Sequence, residues 1–199
     1  DPEPGDLIIL LGGDNYRIGM GGGAVSSVDT GQYSNAIELN AVQRANPEMQ
    51  KRVANVIRAM TENDTNPIRS IHDHGAGGHL NCLSELIDKS GGVINVDNLP
   101  VGDPTLSDKE IIGNESQERM GILVKKEDTE IIRKTALRER APYFLVGESK
   151  DDQRLRFVRE NGDNPIDLTL SDYFGSTAKT VINDTDNPYS FNAIEDKKE

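Results

Sequence analysis

Residues 68–87 read IRSIHDHGAGGHLNCLSELI, and the order of elements in this stretch decides the fold class. After the turn signals of Asn63 to Pro67, Ile68 to Ile71 is a short strand candidate. His72-Asp73-His74-Gly75-Ala76-Gly77-Gly78 follows as a glycine loop, and Leu80, Leu83, Leu86 and Ile87 then recur at helical spacing up to Gly91-Gly92. Working outward towards the N-terminus, Pro47 suits the first turn of a helix with Asn46 as its cap. Met49, Val53, Val56, Ile57 and Met60 form one apolar face behind it. The opening run Gly5 to Gly13 is short, apolar and closed by glycines, as a buried strand would be. The small, polar segment from Ala24 to Leu39 has no helical stripe and reads as loop, with a short strand as the alternative. Towards the C-terminus, the alternation of Met120, Ile122 and Val124 predicts a strand, Asp128 to Glu139 a helix, and Tyr143 to Val146 and Leu155 to Val158 two more strands. Helices and strands are interspersed, so the expected class is α/β (α+β), a mixed β-sheet flanked by helices. The domain is expected over residues 1–182, with 183–199, rich in Asn-Pro and Asp-Lys-Lys-Glu, as a linker or disordered tail.

The chain has 199 residues, 22 Lys and Arg against 34 Asp and Glu, and a net charge of −12. A surface this acidic on balance repels a phosphate backbone, so nonspecific nucleic-acid binding is disfavoured, although a local pocket for a small phosphorylated ligand is compatible with it. The one cysteine, Cys82, cannot form an intrachain disulfide, and no stretch approaches the roughly 18 apolar residues of a membrane span. The expected location is the cytoplasm. The chain begins Asp-Pro-Glu-Pro rather than with Met, which suggests a piece of something longer.

Three constellations could carry chemistry. Gly19-Met20-Gly21-Gly22-Gly23 can bring backbone close to a ligand, but no Gly-Lys-Ser/Thr and no amphipathic helix follows it, so it is neither a Walker loop nor a dinucleotide fingerprint. Asp73, just after the strand candidate, is a hard oxygen ligand that suits Mg2+; the alternative is an Asp that caps the next helix or its loop. Zinc is disfavoured despite His72, His74 and His79, because structural zinc usually wants four Cys or His ligands and the one cysteine would sit on the helix; Cys82, in a helical leucine face, reads as core rather than as a nucleophile. Asn114-Glu115-Ser116-Gln117-Glu118-Arg119 packs six polar side chains immediately before an apolar strand. They could bind a metal, a substrate amine, a phosphate or a sugar, or form a solvated turn with a surface Arg119–Glu118 pair. Gln43, just before the Pro47 helix, is an uncharged hydrogen-bonder that could also be a buried structural amide.

In order along the chain, GGDNYRIGMGGGAVSS, AVQRANPEM, IHDHGAGG, NESQERM and ERAPYFLVGE resemble the formylglycinamide ribonucleotide amidotransferases, or phosphoribosylformylglycinamidine synthases. The resemblance runs from about Gly5 to Phe174. It is to the C-terminal half of the first of two aminoimidazole-ribonucleotide-synthetase-like units in the large, single-chain form. It implies an aminoimidazole ribonucleotide synthetase C-terminal-domain-like fold. The implied setting is a ligase that uses formylglycinamide ribonucleotide, ATP and glutamine in purine biosynthesis, with Mg2+ neutralising phosphoryl charge.

Residue by residue, the resemblance implies Asp73 as a Mg2+ ligand and Gln43, Glu115, Ser116 and Gln117 as substrate contacts. Gly19, Gly21, Gly22 and Gly23 would shape the cleft. His74 and His79 stand where relatives carry apolar residues, and they are expected as exposed loop residues without chemistry. No catalytic residue is assigned: the glutaminase triad is absent, and most of the ATP site is expected in a preceding barrel-forming domain. The implied partners are that domain and the glutaminase domain, without nucleic acid or membrane. The isolated module is expected to be inactive and, through exposed apolar surface, homodimeric. Two alternatives stay open: a noncatalytic half-unit that buttresses a site elsewhere, or another ATP-dependent superfamily member, such as the cyclising synthetase, selenophosphate synthetase, thiamine-monophosphate kinase or a hydrogenase-maturation protein.

Overall fold

A computed structural model describes residues 2–17, 28–29, 31–41, 46–176 and 179–183, with the backbone alone at residues 39–41. The opening apolar run forms β1 (Leu7–Leu11). Its alternate residues enter two different cores: Ile8 and Leu10 face one side of the sheet, Ile9 and Leu11 the other. A strand covered on both faces has no solvent side, so it reads as an unbroken apolar run.

The helix with its cap at Asn46 is present. Asn46 Oδ1 accepts from the Met49 amide at 3.1 Å at the start of a helix over Pro47–Thr61, and Val53, Val56 and Met60 are buried. A shorter helix precedes it over Asn35–Ala41, where loop was expected. The amides of Ile37 and Glu38 donate to the Ser34 carbonyl, and Ile37 is half exposed. A helix of seven residues is too short to show a repeating apolar stripe. In chain order the helices are α1 (Asn35–Ala41), α2 (Pro47–Thr61), α3 (Gly78–Leu86), α4 (Asp108–Gly113), α5 (Thr129–Glu139) and α6 (Leu170–Phe174).

The remaining strands are β2 (Ile68–His74), β3 (Gly92–Asn95), β4 (Ser116–Val124), β5 (Tyr143–Ser149), β6 (Arg154–Val158) and β7 (Ile166–Thr169). All seven form one sheet in the order β2-β4-β1-β5-β3-β6-β7, antiparallel except for β3 beside β6. The mixed sheet flanked by helices is therefore observed. On one face α2 and α5 cover Ile9, Leu11, Ile122 and Val124. On the other, α3, α4 and α6 enclose Ile8, Leu10, Leu123, Ile94, Leu155 and Phe157 around Cys82, Leu83 and Leu86. No described helix is long and apolar enough to cross a membrane.

Two strands run further than the hydrophobic pattern indicated. β2 continues through His72, Asp73 and His74 before the glycine turn, so Asp73 is a strand residue rather than a loop residue. β4 begins at Ser116, so the polar run is largely strand and not a solvated turn. Pairing with a neighbouring strand satisfies the backbone whatever the side chains are, and a polar strand end carries no hydrophobic alternation.

Candidate functional site: a cleft between α2 and the ends of β2 and β4

The β2–β4 ladder breaks where the two motifs meet. Asp73 is opposite Met120, but the next residue, His74, is opposite Ser116. Residues 117–119 therefore have no β2 partner, and the β1 ladder on the other side ends with Leu11 opposite Met120. Such a bulge re-aims side chains. Gln117 and Glu118 turn to the α2 side and line a cleft, while Arg119 runs beneath the sheet towards α3.

The cleft has a volume of about 490 Å³, within the range of small-molecule sites. Gln50, Val53, Ala54 and Ile57 of α2 form one wall, and Asp73, Gly75, Gln117, Glu118 and Met120 the other. Asp73 is exposed, and its Oδ1 accepts from the Gly75 amide at 2.8 Å, which fixes the carboxylate at the turn. Gln117 is exposed as well, and its Nε2 donates to Glu115 Oε1 at 2.9 Å. Glu118 is only 4% exposed, and its Oε2 is buried with no hydrogen-bond partner.

Of the residues singled out in the sequence, the structure brings Asp73 and Gln117 to one cleft. Glu115 and Ser116 are buried and are not among the described residues that line it, although Glu115 reaches it through Gln117. Gln43, Gly19, Gly21, Gly22 and Gly23 lie outside the described residues. Gln50 belongs to no motif and was not singled out in the sequence, and Glu118 was named there only as part of the polar run. The spacing of Glu118 two residues before Met120 places both on the same side of a strand, but only once β4 is known to reach Ser116.

Close backbone approaches join the motifs. At Gly12, where φ is +131°, a Cβ would come within 2.8 Å of Arg119 Cα. At Gly78, where φ is +58°, a Cβ would meet the Asn114 carbonyl oxygen at 2.3 Å. The end of the HDHGAGG motif thus packs directly on the start of the NESQER motif. The segment after β1 is anchored as well: Asn15 Nδ2 donates to the Ile111 carbonyl at 2.8 Å, and Asn114 Nδ2 to the Tyr16 carbonyl at 2.6 Å.

Beneath the cleft, three expectations from the sequence are corrected. His74 and His79 are not exposed loop residues: both are fully buried, with His74 Nε2 2.9 Å from His79 Nδ1. Arg119 does not form a surface pair with Glu118. It is fully buried, its Nε donates to the Gly13 carbonyl at 3.0 Å, and its Nη1 lies 3.2 Å from His79 Nε2. Burial, and then the Arg119 charge, hold both imidazoles well below their ordinary pKa, so both are neutral at pH 7. Cys82 is core, as expected, and burial pushes its thiol pKa up.

For a cation, the donors fit one arrangement better than another. Among the described residues no three His, Cys, Asp or Glu side chains cluster to hold a metal. Mg2+ is commonly bound by one or two carboxylates together with substrate phosphates. Asp73, with Glu118 and its unpartnered oxygen on the same cleft, fits that kind of site.

A mixed seven-stranded sheet, helices on both faces and a motif-lined cleft at the strand ends define the fold class. Residues 3–160 match the family described as AIR synthase related protein, C-terminal domain, and the chain belongs to that family. More particularly, it is 43% identical over 179 residues to the phosphoribosylformylglycinamidine synthase of Schizosaccharomyces pombe, covering 88% of this chain and 14% of that protein. It is 39% identical over 173 residues to the enzyme of the same name from Dictyostelium discoideum, covering 85% of this chain and 13% of that protein. The structure of T. maritima PurL complexed with FGAR matches with a TM-score of 0.80 at 25% identity, over 98% of this chain and 32% of that one. The chain thus spans about one seventh of the curated relatives.

Proposed function

We propose that this chain supplies the substrate- and Mg2+-binding wall of the cleft in a phosphoribosylformylglycinamidine synthase. That enzyme would convert formylglycinamide ribonucleotide, ATP and glutamine to formylglycinamidine ribonucleotide, ADP, phosphate and glutamate. The observation that carries the reading is the convergence of Asp73 and Gln117, from two separate motifs, on one cleft with the buried carboxylate of Glu118. The relatives support it: two bear that enzyme's name, and a third, at TM-score 0.80, is a complex with FGAR.

In this reading the residues divide the work by their chemistry. Gln117, an uncharged donor and acceptor held by Glu115, orients the substrate without adding charge. Asp73, held by the Gly75 amide, places its carboxylate in the wall of the cleft. Glu118 offers a poorly solvated carboxylate to a cation or a donor group. Bound Mg2+ would neutralise phosphoryl charge as it develops. Gln43 and the Gly19 to Gly23 loop would complete the substrate side. ATP would lie mostly on a barrel-forming domain, ammonia would come from a glutaminase domain, and this chain alone would be inactive. A cytoplasmic location follows from such a role.

The test is steady-state turnover by the full-length enzyme that carries this segment. Asp73→Asn and Gln117→Ala should cut kcat/KM by about 100-fold or more, as expected for lost charge neutralisation and positioning, with unchanged melting temperature. Unfolding of both variants, with normal specific activity in the folded fraction, would refute the assignment. One observation favours a buttressing half-unit instead: Glu115 is buried and is not among the described residues that line the cleft. In that case both variants would turn over normally.

A further inference from the structure

The buried His74, His79 and Arg119 cluster has no part in the reading above, yet its hydrogen bonds have only one consistent direction. A guanidinium can only donate, so the contact between Arg119 Nη1 and His79 Nε2 makes that nitrogen an acceptor. The single proton of a neutral His79 then sits on Nδ1, from which it is donated to His74 Nε2, 2.9 Å away. His74 Nε2 is therefore the acceptor, and its own proton sits on Nδ1, 3.3 Å from the Arg119 carbonyl. The path leaves Arg119 by its side chain and returns to it by its backbone, with one hydrogen for each step.

The circuit lies where the sheet's own bonds fail. Residues 117–119 have no β2 partner, so backbone pairing with β2 does not fix the bulge that carries Gln117 and Glu118. The circuit bridges the gap: His74 follows Asp73 in β2, His79 is in the first turn of α3, and Arg119 follows Glu118 in β4. Arg119 also reaches the Gly13 carbonyl, which joins the segment after β1 to the same point.

We propose that His74 and His79 are positioning residues, which through this circuit with Arg119 hold Asp73 and the Gln117–Glu118 bulge in register and so set the ligand affinity of the cleft. The claim rests on the reading of the cleft as the formylglycinamide ribonucleotide and Mg2+ site. Glutamine can replace either imidazole in kind, because its oxygen accepts and its amide donates, whereas leucine can do neither.

Two measurements test it. In the full chain near neutral pH, side-chain 15N–1H correlation spectra should find His74 and His79 each protonated at Nδ1 and bare at Nε2. Protonation at Nε2 in either would break the circuit and overturn the proposal. In the full-length enzyme, His79→Leu should raise the KM and the dissociation constant for formylglycinamide ribonucleotide with Mg2+ by about 10- to 100-fold, the usual cost of losing a partner that orients a ligating group. The effect on kcat should be smaller, and His79→Gln should restore affinity to within a few-fold of the parent. If His79→Leu does not fold, the glutamine variant and the parent spectra still decide. Parent affinity in a folded His79→Leu, or no rescue by His79→Gln, would overturn the positioning claim alone. A parent enzyme that does not bind the ribonucleotide would overturn the reading of the cleft, and the positioning claim with it.

Discussion

Glu118 is the residue at which stability and binding part company. An unpartnered buried carboxylate oxygen costs the fold free energy, roughly 1–3 kcal/mol for a polar group left without a hydrogen bond. Glu118→Gln removes the charge while keeping the shape. It should therefore leave the melting temperature unchanged or raise it, while weakening Mg2+-dependent binding of the ribonucleotide. A fall in both together would mean that the carboxylate is structural. This residue, His74, His79 and Arg119 were the least legible part of the sequence. A polar run before an apolar strand reads as a solvated turn unless the partners of Arg119 are known, and those lie 40 residues or more away along the chain. Asp73 and Gln117 could be picked out because motif resemblance depends on order and spacing rather than on burial.

Among the elements, the longer helices with a repeating apolar face were legible, whereas the short helices α1, α4 and α6, of five to seven residues, were not, although α4 buries Ile111 and Ile112. α2 was foreseen from Asn46, Pro47 and its Val53, Val56 and Met60 face, whereas α1, with Ile37 half exposed, was not. The cap should be worth about 1 kcal/mol, so Asn46→Ala should lower the urea midpoint by that equivalent without changing the slope. Gly78→Ala should cost more, roughly 1–3 kcal/mol, because the new methyl meets the Asn114 carbonyl at a positive φ. A neutral Gly78→Ala would mean that α3 does not pack on the NESQER segment as described. The histidine circuit between these elements also gives stability a pH dependence. In the folded chain both imidazoles have pKa values well below 6.5. Well above pH 6.5 neither state protonates them and their contribution is complete; as the pH falls through 6.5, the unfolded chain takes up protons that the folded one refuses, and stability is lost. Thermal melts from about pH 7.5 to pH 5 should decline in the parent. They should decline less in the His74→Gln, His79→Gln double variant, and equal declines would contradict buried neutral imidazoles.

Over the whole molecule, one sheet carries motifs from distant parts of the sequence to the ends of neighbouring strands. β1, with both faces buried, is the axis of that arrangement, and Gly12 beside Arg119 is where it meets the site. The mixed α/β class was legible because helices and strands alternate along the sequence. The sheet order was not, since β1 pairs with β4 and β5, each more than 100 residues away, and no local pattern encodes such a register. The central claim is that Gln117 and Asp73 share one ligand site on this segment, and its most direct test is isothermal titration of formylglycinamide ribonucleotide with Mg2+ into the full-length enzyme. Binding that is lost in Gln117→Ala and weakened in Asp73→Asn, with both variants folded, is the result this account predicts. Binding unchanged in both would contradict it and leave the cleft as a buttress to a site elsewhere.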